Sequence, residues 1–216
     1  MIKVIGIDLG KHVFHLHGID EEGRAVLKIK VQRSRLIKVV ANLSPCLIGL
    51  EACAGAHYWA REFIKLGHAV KLMAPQFVKP YVKTNKNDHA DAEGICEAVT
   101  RPSMRFVPIK SIDQQDVLGL HRVRERLMRN RTALANEIRG LLHEYGIVMR
   151  QGFSHLRRCL REVISQGSNS LTPMLQELVL SLLEELNMLE ERIAFYDQKL
   201  EEIYQHDERC QQPISV

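Results

Sequence analysis

The hydrophobic period changes once along this chain, and that change sets what the chain can fold into. Up to about residue 108, apolar residues come in short runs broken by turn residues. Beyond it they recur at helical spacing through long stretches without proline. Ile2 to Leu9 is a short apolar run ending in Asp8-Leu9-Gly10. His12 to Ile19 follows with partial alternation, and Asp20-Glu21-Glu22-Gly23 makes a turn. Arg24 to Val31 alternates Ala25, Leu27, Ile29 and Val31 with Val26, Lys28 and Lys30. Three strands joined by short turns predict an antiparallel meander.

Ser34 is placed to cap a helix running to about Asn42. Cys46 to Glu51 is a further core strand. Tyr58 to Leu66 has helical periodicity and stops at Gly67, and Ala69 to Met73 is a fifth strand ended by Pro75. Strand–helix–strand steps after a meander predict an α/β domain, a mixed sheet flanked by helices. Asn87 to Ala98 is an alanine-rich helix capped by Asn87 or Asp88. Pro102 and Pro108 bracket an extended piece, Arg105 to Val107, and the first boundary falls there.

The remainder is helical. Asp113 to Tyr145 holds no proline and Gly146 ends it. Ser154 to Ile164 is a shorter helix, Gly167 to Thr172 a break, and Pro173 opens the last helix. From Leu182 the apolar residues run Leu182, Leu186, Leu189, Ile193, Tyr196, Leu200, Ile203, steps of four and three that make an a/d seam. Such a seam packs on its own domain or joins copies as a coiled coil. Its narrowness and acidic flanks favour the coiled coil. The expected organisation is an α/β domain at 1–108, a basic helical segment at 109–170 and a coiled coil at 171–210.

With 216 residues and 45% hydrophobic content, the chain has enough apolar material for a core. A net charge of +4 says little by itself, but its distribution says more. Between Val117 and Arg161, arginines at 122, 124, 126, 129, 131, 139, 150, 157, 158 and 161 face only Glu125, Glu137 and Glu144. From Gln176 to Glu208 acids dominate over Arg192 and Lys199. A basic block beside an acidic one implies two surfaces with different partners. The five cysteines form no CxxC pair, which argues against a disulfide framework or a zinc site and fits a reducing cytoplasm. Asp8 and Lys11 interrupt any signal-peptide core, and no run approaches the roughly 20 apolar residues of a membrane helix.

Carboxylates stand where chemistry would need them. Asp8 ends an apolar strand, where open α/β sheets bind ligands; alternatively it caps a turn. Glu51 ends the run Cys46-Leu47-Ile48-Gly49-Leu50-Glu51 and is followed by small residues that leave room for a substrate; alternatively it is a surface acid. Asp88 and Asp91, at i,i+3, share one helix face, or simply suit the helix dipole. Four carboxylates in one cleft would repel each other, and a hard divalent ion such as Mg²⁺ removes that cost. Two such ions about 4 Å apart suit phosphodiester cleavage. Arg122, Arg126, Arg129 and Arg139 on the long helix, with Lys83 and Lys86 before the Asp88 helix, are candidate phosphate contacts. Tyr58, Trp59 and Tyr81 are expected to pack rather than stack on bases, and His89 to be a bystander.

Asp8 within Gly-Ile-Asp-Leu-Gly-Lys, Glu51 within Gly-Leu-Glu-Ala-Cys, and Asn-Asp88-x-x-Asp91-Ala resemble the DEDD transposases of bacterial insertion sequences, relatives of the Piv DNA invertase. The resemblance covers nearly the whole chain. It implies an RNase H-like (RuvC-like) domain with Asp8, Glu51, Asp88 and Asp91 as catalytic metal ligands for Mg²⁺ or Mn²⁺. It further implies DNA as substrate, a guide RNA, homo-oligomers joined through the coiled coil, and a bacterial cytoplasmic location. The family's C-terminal domain, with its catalytic serine, has no counterpart in this sequence, and Ser215 lies in no matching motif. The expectation is therefore a portion of a transposase, incomplete for strand exchange by itself.

Two other readings compete. Gly6-Ile7-Asp8-Leu9-Gly10 also resembles the first phosphate motif of actin-like and sugar-kinase phosphotransferases, but no second glycine-rich phosphate loop follows. Alternatively, the chain is a non-catalytic nucleic-acid-binding oligomerisation protein whose carboxylates are structural.

Overall fold

The computed structural model describes residues 1–82, 88–165 and 171–207. The chain divides into two compact units, Met1–Ser111 and Ile112–Val216.

In the first unit, β1 (Val4–Leu9), β2 (Val13–Ile19) and β3 (Ala25–Gln32) form the antiparallel meander. The turn between β2 and β3 is held by the Asp20 carboxylate, which accepts the amides of Glu22 at 3.1 Å and Arg24 at 2.8 Å. Gly23 supplies the positive φ of 77° that this turn requires. β4 (Leu47–Glu51) lies parallel to β1, β5 (Ala69–Met73) parallel to β4, and β6 (Phe106–Val107) antiparallel to β5. The order β3-β2-β1-β4-β5-β6 is the RNase H-like arrangement with one added edge strand.

Strand alternation divides the sheet into two faces. Ile5, Ile7, Phe14, Leu16, Ile48 and Leu50 pack with α1 (Leu36–Ala41) and α2 (Ala56–Lys65). Val4 and Met73 pack with α4 (Asp88–Val99) through Ile95, Cys96 and Val99.

One local expectation fails for a physical reason, and another is met with an addition. Ser34 does not cap a helix: Arg33–Arg35 form a 3₁₀ turn, and α1 starts at Leu36 without a side-chain cap. Burial of Leu36 and Val40 holds α1 instead. Pro75 ends β5 but also opens a short helix, α3 (Pro75–Val78), since proline suits a first helical turn.

The second unit holds α5 (Ile112–His143), α6 (Phe153–Ser165) and α7 (Pro173–His206). The Thr172 hydroxyl caps α7 by accepting the Leu175 amide at 3.2 Å. Early α5 residues Val117, His121 and Arg124 line one shallow cavity with late α7 residues Asp197, Leu200 and Tyr204, so the two helices run antiparallel. The expected seam is filled from within this chain over Leu182 to Tyr196, while Leu200 and Ile203 line that cavity. Leu186, Leu189 and Ile193 are buried in one core with Leu127, Leu134 and Ile138 of α5 and Leu156 and Leu160 of α6. Ion pairs Arg124–Asp197 and Arg157–Glu190 flank it. A four-three repeat specifies a seam but not whose helix fills it, and a partner in the same chain costs less entropy than a second copy. The basic helix and the seam helix thus share one core. Among the described residues no helix is long and apolar enough to cross a membrane.

Candidate metal centre

β1 and β4 carry the same local pattern of glycine, apolar residue and carboxylate: Gly6-Ile7-Asp8 and Gly49-Leu50-Glu51. The strands pair in parallel with Gly6 opposite Gly49 and Ile7 opposite Leu50. One more residue of that register sets Asp8 beside Glu51, with backbones about 5 Å apart. Alternation directs both glycines and both carboxylates to the face that α4 covers.

The glycines allow α4 to come close. A Cβ on Gly6 would stand 2.2 Å from the Ala92 carbonyl oxygen and 2.3 Å from the Cys96 nitrogen. One on Gly49 would stand 2.8 Å from Val99 Cβ. With backbone against backbone, α4 carries Asp91 to the strand ends where Asp8 and Glu51 emerge.

The charges register this approach. Burial, then the negative charges of Asp8 and Asp91, push the half-buried Glu51 carboxyl up from its ordinary value. Cys53, just past Glu51, is exposed yet has protein on enough sides that desolvation leads the causes raising its thiol. The charges of Glu51 and Asp8 add to it. Three of the four expected carboxylates therefore share one electrostatic environment. Asp88 is the first residue of α4, but its side chain lies outside the described residues, as do Lys83 and Lys86.

Among the described residues, no three His, Cys, Asp or Glu side chains are gathered tightly enough to hold an ion as they stand. Charge coupling and ligand contact thus give different pictures. The carboxylate charges act on one another over several ångströms, a looser approach than the roughly 2 Å at which ligands hold an ion. The donor set is all carboxylate oxygen, which fits a hard divalent cation rather than a thiophilic one.

One neighbour was not legible as part of this site. His15 pairs in register with Asp8 across β1 and β2 and is 6% exposed. Its ring meets His89 of α4 edge to face at 4.6 Å, so His89 packs the carboxylate-bearing end of α4 onto β2. A histidine at alternate spacing with Leu16 and Phe14 was the available signal.

The arginines divide. Arg122, Arg126 and Arg129 are exposed, and their i, i+4, i+7 spacing puts them on one face of α5; Arg129 is also paired with Glu125 at 2.7 Å. Arg139 is half-buried, donating to the Gly152 carbonyl at 3.1 Å and to Asn136 Oδ1 at 3.0 Å, and so ties α5 to the start of α6. Arg131 is similarly engaged, over the Phe153 ring at 4.2 Å. Trp59 packs between Phe14 and Phe63, as expected for a core residue.

A family model described as transposase, of the DEDD IS110 type, matches residues 5–147. The chain belongs to this transposase family. It is 47% identical over 213 residues to a "Probable family 20 transposase" of Pseudomonas aeruginosa, a match covering 98% of this chain and 63% of that protein. It is 42% identical over 215 residues to the transposase for insertion sequence element IS1111A of Coxiella burnetii, covering 100% of this chain and 59% of the relative. The transposase for insertion sequence element IS1328 of Yersinia enterocolitica is 41% identical over 215 residues, covering 100% and 64%. The chain therefore spans about three fifths of the length of these transposases.

Proposed function

We propose that this chain is the carboxylate-bearing portion of a DNA transposase and that Asp8, Glu51, Asp88 and Asp91 hold divalent ions for DNA strand cleavage. One observation carries the reading. The parallel register brings Asp8 and Glu51 to the ends of two central strands, and burial, then the charges of Asp8 and Asp91 from elements far apart in sequence, raise the Glu51 carboxyl there. Carboxylates set against each other in this way favour a cation. When bound, Mg²⁺ or Mn²⁺ would supply charge neutralisation and Lewis-acid activation of the scissile phosphodiester. The chain's own contribution is to orient the carboxylates through the paired glycines and the His15–His89 contact. Small residues Ala52 and Ala54 leave space beside Glu51 for a nucleic-acid backbone.

In this reading Arg122, Arg126 and Arg129 hold phosphates of DNA or of a guide RNA, the two nucleic acids that the motif resemblance implies. Arg139 serves the α5–α6 junction, and Lys83 and Lys86 remain assigned to phosphate by sequence alone. Because Leu186, Leu189 and Ile193 of the α7 seam are buried against α5 and α6, these three are not available to join copies.

The test joins this chain to the part of the Coxiella burnetii relative that it does not cover and scores excision of a marked element in cells. Excision is expected, falling by about 100-fold or more with Asp8→Asn or Asp91→Asn. Unchanged excision with both variants would overturn the catalytic assignment.

A further inference from the structure

Three basic side chains of the sheet unit, His57, Arg61 and Lys110, come together around one stretch of backbone. His57 lies in the first turn of α2, and Lys110 follows β6. The Lys110 backbone N–H donates to His57 Nδ1 at 3.2 Å. A backbone amide has no lone pair to offer, so Nδ1 is the acceptor and the ring proton sits on Nε2. That Nε2 lies 3.4 Å from Lys110 Nζ. An ammonium also only donates, so the contact is two donors facing each other rather than a hydrogen bond. Arg61, one turn along α2, donates to the Lys110 carbonyl at 2.7 Å and fixes this backbone between the two helix side chains.

The electrostatics agree. Burial, then the positive charges of Lys110 and Arg61, hold the His57 ring below its ordinary basicity. Among the ion pairs of the described residues, none engages Lys110 or Arg61 with a carboxylate. Converging donors, two full positive charges and half-buried side chains call for an acceptor-only anion between Nε2 and Nζ. A phosphate oxygen meets that description, since charge-assisted bonds from Lys and His to phosphate are short and strong.

We propose that His57 and Lys110, supported by the Arg61 charge, form a binding site for one backbone phosphodiester of nucleic acid. The identity of the ligand rests on the transposase reading, whereas the anion site rests on the donor geometry alone. The site uses none of the four carboxylates and holds the strand rather than reacting with it.

The experiment measures binding of the full chain to fluorescein-labelled duplex DNA and, in parallel, to an RNA hairpin, by anisotropy across a sodium chloride series with EDTA throughout. Lys110→Met is expected to weaken binding and to flatten the plot of log affinity against log salt by about 0.9 for the duplex. Lys110→Arg is expected to restore the slope, which a merely structural role for the lysine would not require. Loss on both nucleic acids assigns the site to the shared phosphodiester, and loss on one alone assigns it to that source. In the unaltered chain, the His57 Nε2 resonance is expected to shift on adding either oligonucleotide, a readout that does not depend on a variant folding. An unchanged slope with Lys110→Met on both nucleic acids, or an unmoved His57 resonance, overturns the proposal. Because EDTA excludes divalent ions, failure of the carboxylate assignment leaves this result intact, and the reverse also holds.

Discussion

A methyl group at Gly6 would have to occupy the place of the Ala92 carbonyl, 2.2 Å away. The neighbour is helix backbone, not a flexible side chain, so α4 must lift. Gly6→Ala is expected to cost about 3 kcal/mol by thermal or urea denaturation. It should also weaken divalent-ion binding, because the lift carries Asp91 away from Asp8; a variant as stable as the parent would refute the close-packing account. Glu51 yields a prediction with pH. Its carboxyl is raised above the ordinary 4.5 in the folded chain. The folded protein thus keeps a proton that the unfolded chain releases. The stability from that proton is fully present below 4.5 and drains away as pH rises through the raised folded value. Glu51→Gln should therefore melt higher than the parent at neutral pH in EDTA, with the gap closing as pH falls below 4.5. A variant that melts lower at neutral pH would mean that the carboxylate is not under strain. These residues were partly legible beforehand. A carboxylate after an apolar run is visible in one dimension, and so are the small residues after Glu51. That Gly6 and Gly49 face the same helix requires the parallel register of β1 and β4, which no local pattern encodes. His15 was hidden for the same reason, its partners being set by pairing across strands.

At the level of elements, the period of the apolar residues determined what could be read. The five principal strands and the long helices follow from spacing and turn residues, because a strand or helix buries its face in a pattern the chain displays locally. Ser34 misled because a capping residue matters less than which apolar residues the short helix can bury, and Leu36 and Val40 begin later. The α7 seam was legible as a seam, but its partner was not. With α5 filling it, Leu186, fully buried in that core, supports the fold of the helical unit rather than an interface. Leu186→Ala is expected to destabilise that unit by about 2–5 kcal/mol, while the melting temperature of the parent stays independent of protein concentration. If melting rises steeply with concentration and Leu186→Ala abolishes that dependence, the seam joins copies after all.

For the molecule as a whole, each unit has its own apolar core, one built on the sheet and one on three helices. The boundary at Ser111 lies close to the proline-bracketed piece from which a division was expected, since a change of hydrophobic period and a change of core are the same event seen in sequence and in space. The family places the chain among transposases, and the work proposed for it depends on acids from three separated stretches acting on common ions. Titration of Mn²⁺ into the purified chain, followed by calorimetry or by the electron-spin signal of the free ion, tests that dependence directly. The account predicts saturable binding that Asp8→Asn, Glu51→Gln and Asp91→Asn each weaken by about tenfold or more, with double substitutions costing less than the sum because the acids share ligands. Binding that survives all three changes, or none in the unaltered chain, would contradict it.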